Sequence, residues 1–95
     1  MNIQIQAIHF SPDIQLKSFI NKMINKLMLV DANITSAEVF LKLSKPASFD
    51  NKIVEMKLHS TSFRYFAKKQ TNSFEESADL ATQALRKQII KQKKK

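Results

Sequence analysis

The chain has no glycine and no cysteine. Glycine lets backbone adopt positive φ or approach a ligand closely, so its absence removes phosphate-cradling loops, dinucleotide fingerprints and nucleophile elbows. Most nucleotide-dependent enzyme classes go with them, and turns must rely on Asn, Asp and Pro. Without cysteine there are no disulfides, no thiolate chemistry and no cysteine-based zinc sites, and a reducing compartment is the natural home. No apolar run approaches the roughly 20 residues that span a bilayer. The opening residues Asn2 to Gln6 alternate, without the basic start and apolar block of a signal peptide. A cytoplasmic location is expected. The only histidines, His9 and His59, have neither metal-ligand spacing nor converging carboxylates, and are read as structural or exposed. No enzymatic activity, cofactor, metal or small-molecule substrate is expected.

What the chain does have is positive charge at one end. Its 95 residues suit one domain, with a formal net charge of +8. Residues 1–63 carry seven Lys against five acidic residues, a net of +2, whereas residues 64–95 carry nine Lys/Arg against three, a net of +6. Such concentration suits a polyanion, either nucleic acid or an anionic membrane surface. The lysine-rich end is also compatible with a solvated tail.

Periodicity gives the elements. Ile3, Ile5 and Ala7 alternate with Asn2, Gln4 and Gln6, the mark of a strand over residues 2–8. Ser11, Pro12 and Asp13 read as a helix start with Ser11 as cap and Pro12 in the first turn. Leu16, Phe19, Ile20, Met23 and Leu27 form one apolar stripe along residues 12–29, and Asp31 to Asn33 ends that helix. Residues 35–44 and 52–59 alternate again, with Val39, Leu41 and Leu43, then Val54, Met56 and Leu58, sharing one face. Residues 45–51 form a loop and Ser60 to Ser62 a short turn. A fourth strand covers Phe63 to Lys68. Ser73 with Glu76 is the pattern of a capping box, and Phe74, Ala78, Ala81, Leu85 and Ile89 form the stripe of a last helix. The expected fold is α+β, in the order β-α-β-β-β-α, with both helices side by side on one face of a four-stranded sheet. Strands two to four form an antiparallel meander. Residues 1–91 make a single domain and residues 92–95 a basic tail.

Glu75, Glu76 and Asp79 sit where the last helix dipole is positive, and Arg86, Lys87, Lys91, Lys93, Lys94 and Lys95 where it is negative. Dipole matching contributes only tenths of a kcal/mol per charge, too little to explain six cations in ten residues. Lys87, Lys91 and Lys94 share one helix face. Lys22 and Lys26 form a pair on the first helix, and Lys68 and Lys69 are placed in the loop before the last. Helices lying side by side would merge these groups into one cationic surface. Lysine predominates over arginine, which suits phosphate contact more than bidentate base reading. The expected partner is folded RNA recognised by shape. Phe63, Tyr65 and Phe66 are candidates for base stacking, with strand packing the alternative for at least two of them.

Several stretches together resemble the ribosome hibernation-promoting factors, also called ribosome-associated inhibitor or sigma-54 modulation proteins, in their short form. They are Glu38–Leu43 (EVFLKL), Phe66–Gln70 (FAKKQ), Ser73–Asp79 (SFEESAD), Ala84–Gln88 (ALRKQ) and Lys91–Lys93 (KQK), with His9 and Phe10 ahead of a helix ending in Lys26 and Leu27. The resemblance implies a non-enzymatic translation inhibitor, a monomer when free. It would bind the small ribosomal subunit and its rRNA where mRNA and the A- and P-site tRNAs sit, and so stabilise idle ribosomes. By position it implies rRNA contacts from Lys22, Lys26, Lys68, Lys69, Arg86, Lys87, Lys91 and Lys93. Met23 stands where many relatives carry a basic residue, and Met28 to Asn33 lacks the aromatic and Asp-Arg residues common there. A weaker grip by the first helix follows. The alternative is a general binding module for structured RNA or double-stranded nucleic acid.

Overall fold

A computed structural model describes residues 2–8, 10–44 and 50–93. His9, Lys94 and Lys95, and most of the loop at 45–51, lie outside the described residues. The expected order is found: β1 (Asn2–Ala7), α1 (Ile14–Val30), β2 (Ile34–Leu43), β3 (Lys52–Ser60), β4 (Arg64–Thr71) and α2 (Phe74–Lys93). The four strands form one mixed sheet in the order β1-β2-β3-β4. β1 runs parallel to β2, with Ile5 opposite Val39, and α1 makes the crossover that a parallel pair requires. β2, β3 and β4 form the antiparallel meander.

Alternation decides which sheet face is buried. Ala37, Val39 and Leu41 of β2, Val54, Met56 and Leu58 of β3, and Tyr65 and Ala67 of β4 face the helices and are buried. They pack against Ile20, Ile24 and Leu27 of α1 and Ala78, Ala81, Leu85 and Ile89 of α2. Each fully buried Leu, Ile or Met stabilises the fold by about 1.5–3 kcal/mol. Ile24 is completely buried, although the sequence stripe does not include it, while Leu43 at the end of β2 is 48% exposed.

The glycine-free turns are closed by side chains. Asp31, at the C-terminal end of α1, accepts a hydrogen bond from the Asn33 N–H (3.0 Å). The Ser60 hydroxyl oxygen accepts from the Phe63 N–H (2.8 Å), and its proton goes to the Phe63 carbonyl (3.0 Å). These are the local side-chain-to-backbone bonds for which Asp and Ser are suited at turns.

Both helix starts differ in detail from the sequence reading. The α1 cap is Asp13, whose carboxylate accepts from the Leu16 N–H at 2.7 Å, so Ser11 and Pro12 precede the helix. A carboxylate reaches the same orphan N–H as serine and adds favourable charge at the dipole. At α2, Ser73 caps as expected, with Glu76 N–H donating to Ser73 Oγ at 3.1 Å. The reciprocal half of the capping box is replaced: the Ser73 N–H donates to the Thr71 hydroxyl (3.2 Å) instead of to Glu76. Ser77, fully buried, donates to the Lys52 carbonyl (2.7 Å) and pins the first turn of α2 to β3.

Two further boundaries move. β4 continues to Thr71, so Lys68 and Lys69 are strand residues and not part of a loop. Lys68 pairs with Glu55 and Lys69 with Val54, because a regular ladder to β3 holds polar residues in strand form without an apolar pattern. α2 continues to Lys93, across the 91/92 boundary drawn from the sequence.

Candidate nucleic-acid interface

α1 and α2 lie side by side and point the same way. At their starts the rings of Phe10 and Phe74 stack with centroids 5.1 Å apart. Midway, the Thr82 hydroxyl lies 3.9 Å from the Met23 sulfur. At their ends the Lys93 ammonium donates to the Val30 carbonyl. The groove between them is lined by Met23, Lys26 and Val30 on one side and Asp79, Gln83 and Arg86 on the other.

Parallel helices place both negative dipole ends together. α1 has no basic residue in its last turn, whereas α2 has Lys91 and Lys93. By reaching across, Lys93 supplies α1 with the cation its own sequence omits and satisfies one of its orphan carbonyls. No signal local to either helix pattern announces that bond, since it depends on the helices being parallel.

The cations divide between two surfaces. Lys22 and Lys26 succeed each other at one helical turn on α1, and Lys87 and Lys91 do so on α2. Arg86 lines the groove with Lys26. All are exposed, and Leu29, 89% exposed, follows Lys26 by three residues on α1. Lys91 borders the first residues of β4, beside Phe63 and Arg64. Lys69 alternates with buried Ala67 and so lies on the helix-bearing face at the sheet's edge. Lys68 points to the opposite, open face. The expected merger of all three basic groups therefore holds for α1 and α2, with Lys69 at the margin and Lys68 outside it.

Among the described residues the Lys42 ammonium pairs with the Glu55 carboxylate (2.7 Å), and the His59 ring lies 3.7 Å from the Glu38 carboxylate, both on the open sheet face. No carboxylate among the described residues lies within salt-bridge distance of the helix-surface cations, although Asp79 shares the groove with Lys26 and Arg86, and the surface suits an external polyanion. Of the stacking candidates, Tyr65 is buried and packs in the core, whereas Phe63 and Phe66 are 45% and 47% exposed. Burial, and secondarily the Asp31 carboxylate, raise the Tyr65 phenol above its ordinary value of 10.0. Among the described residues no cluster of His, Asp and Glu could hold a metal ion, and no helix is long and apolar enough to cross a membrane.

The fold has close structural counterparts. A ribosomal subunit interface protein from Coxiella burnetii superposes over 100% of both chains with a TM-score of 0.88, at 19% identity. The N-terminal domain of Thermus thermophilus Protein Y matches over 94% of this chain and 96% of its own, with a TM-score of 0.81 at 16% identity. Comparison with curated protein sequences gave no match. At these identities the structures speak for the fold. The family profile described as sigma 54 modulation protein / S30EA ribosomal protein matches residues 3–95. Sequence resemblance, topology and profile agree, and the chain belongs to this family of hibernation-promoting factors.

Proposed function

We propose that this protein binds the small ribosomal subunit in the channel used by mRNA and the A- and P-site tRNAs, and so inhibits translation and stabilises idle ribosomes. The observation that carries the proposal is the parallel helix pair, which gathers Lys22, Lys26, Arg86 and Lys87 on one layer, none of them in a salt bridge among the described residues. Lys91 extends this surface beside β4, and Lys93 divides its charge between the α1 terminus and solvent. Lysines presented on a rigid helical layer meet phosphates as point charges, which suits a folded RNA wall better than base reading. That the Coxiella burnetii counterpart is a ribosomal subunit interface protein supports the same partner. Membership of the family supports a role in regulating translation and not in catalysis.

Co-sedimentation with purified small subunits tests the proposal. Binding should be lost when mRNA and tRNA already fill the channel. Undiminished binding to such filled subunits would exclude occlusion, and equal affinity for plain duplex RNA would replace the ribosome by a general duplex partner.

A further inference from the structure

The second exposed surface of the molecule is the open face of the sheet, opposite the helices. On β4 the residues pointing outward are Arg64, Phe66 and Lys68, a cation, a ring and a cation at steps of about 6.5–7 Å. Phe66 stands opposite Lys57 of β3, which in turn stands opposite Glu38 of β2. With His59 and Arg64 these residues surround a depression of about 390 Å³, a size that accepts a small planar ligand. The other outward aromatic, Phe40, is covered by the Lys57 ammonium, 5.6 Å from its ring centroid. This face is therefore not a broad apolar patch of the kind that proteins bury against each other. It offers one accessible ring flanked by cations. The Glu55 carboxylate is already held by Lys42, so Arg64, Lys57 and Lys68 dominate the charge around Phe66.

We infer that this open face is a second RNA site, separate from the helix surface, which holds a single-stranded segment with one unpaired base stacked on Phe66. Exposed rings on a sheet serve unpaired bases because every base has a π-face, and flanking cations follow the backbone phosphates. Arg64 and Lys68 sit on either side of Phe66 along β4 and contact the phosphates before and after the stacked nucleotide. Glu38 lies across the depression and, as a carboxylate, only accepts hydrogen bonds. It favours bases with an exocyclic amine, such as cytosine, over uracil, which presents a carbonyl oxygen there.

The test uses the full chain and fluorescently labelled decamers of cytidylate and uridylate, with anisotropy read at about 50 mM salt, where phosphate contacts are strong. The cytidylate decamer should bind more tightly than the uridylate decamer. Phe66→Ala should weaken it about fivefold or more, the scale of one lost base stack. The Gln88 side chain donates to the Phe66 backbone carbonyl, a bond that alanine retains, so the variant should keep the wild-type circular dichroism. Lys26→Glu/Arg86→Glu, in the groove between the helices, should leave decamer affinity within about twofold while abolishing ribosome binding. Absence of decamer binding by the wild type would overturn the inference. So would Phe66→Ala binding like wild type, or the helix-face variant losing decamer and ribosome together. Equal affinities for the two decamers would overturn the role of Glu38. A wild-type chain that sediments as a dimer, and becomes a monomer on Phe66→Asp without binding either decamer, would assign the face to a second copy instead.

Discussion

The two exposed faces of this molecule are both basic, yet they are built differently. Among the described residues the helix layer carries Lys22, Lys26, Arg86 and Lys87 with no exposed aromatic among them and no salt bridge to a carboxylate. The open sheet face interleaves Lys42, Lys57, Arg64 and Lys68 with Glu38, Glu55, Phe40 and Phe66, and ties part of this charge into internal pairs. Charge alone would rank them as similar. Their chemistry separates them, because lysines on a rigid layer suit a surface of phosphates, whereas a ring between cations suits a single unstacked base. Both depend on the same core, since each strand and each helix turns its other side inward.

Removing that common support should have the largest effect. Leu85→Ala should cost about 2–5 kcal/mol by emptying a fully buried position beneath both faces, measured by urea denaturation. A loss below 1 kcal/mol would show that α2 is not required for the core. Next comes Lys87→Glu/Lys91→Glu. At about 0.1 M salt each phosphate contact contributes close to one decade of affinity, so ribosome binding should fall at least ~100-fold with the fold unchanged. Unaltered co-sedimentation would remove the contrast between the faces. Ser73→Ala should destabilise α2 by about 1 kcal/mol through loss of the cap, read as a lower unfolding midpoint. The smallest effect concerns alkaline pH. The folded pKa of Tyr65 is raised, so the native state holds its proton where the unfolded chain releases it, above about 10. Stability from this group is complete below that pH and declines as pH rises through the folded value. Tyr65→Phe should show a shallower decline than the wild type as pH rises above about 10. Parallel pH curves for the two would show that the phenol contributes nothing to that decline.

Element order and the buried faces were legible because apolar residues alternate in the strands and recur at helical spacing in α1 and α2. Val54, Met56 and Leu58 fall where alternation puts them, and Ala78, Ala81, Leu85 and Ile89 where the helix stripe does. The polar half of β4 was not legible. Lys69 to Thr71 have no apolar rhythm, and only their ladder with β3 makes them strand. Lys68 reads both as the end of the fourth strand and as half of a basic pair in the loop; strand alternation turns it to the open face, away from the helix cations. Serine and aspartate two residues apart both make good caps, so choosing Asp13 over Ser11 needed the structure. The spacing of Lys22 and Lys26, and of Lys87 and Lys91, placed each pair one turn apart on its helix, as the structure has them; their contact with RNA remains a proposal. The Lys93–Val30 contact and the Arg64–Phe66–Lys68 row were not legible, because each depends on which elements are neighbours and in which direction they run.

The parallel helices have a consequence for how the molecule travels before it touches anything. Asp13, Glu75 and Glu76 lie at or near their starts, and Lys26, Arg86, Lys87, Lys91 and Lys93 toward their ends. The backbone dipoles point the same way and would leave the far end negative, but the side-chain cations outweigh those fractional charges. The molecule is therefore unevenly charged: Lys17 and Lys52 offset the acids at the helix starts, and the basic excess lies at the tip where both helices end. Near a polyanion it experiences a torque as well as a pull, so it turns tip-first during diffusion. Its arrival rate should then exceed that of a chain of equal net charge spread evenly, and the advantage should fade as salt shortens the reach of the field.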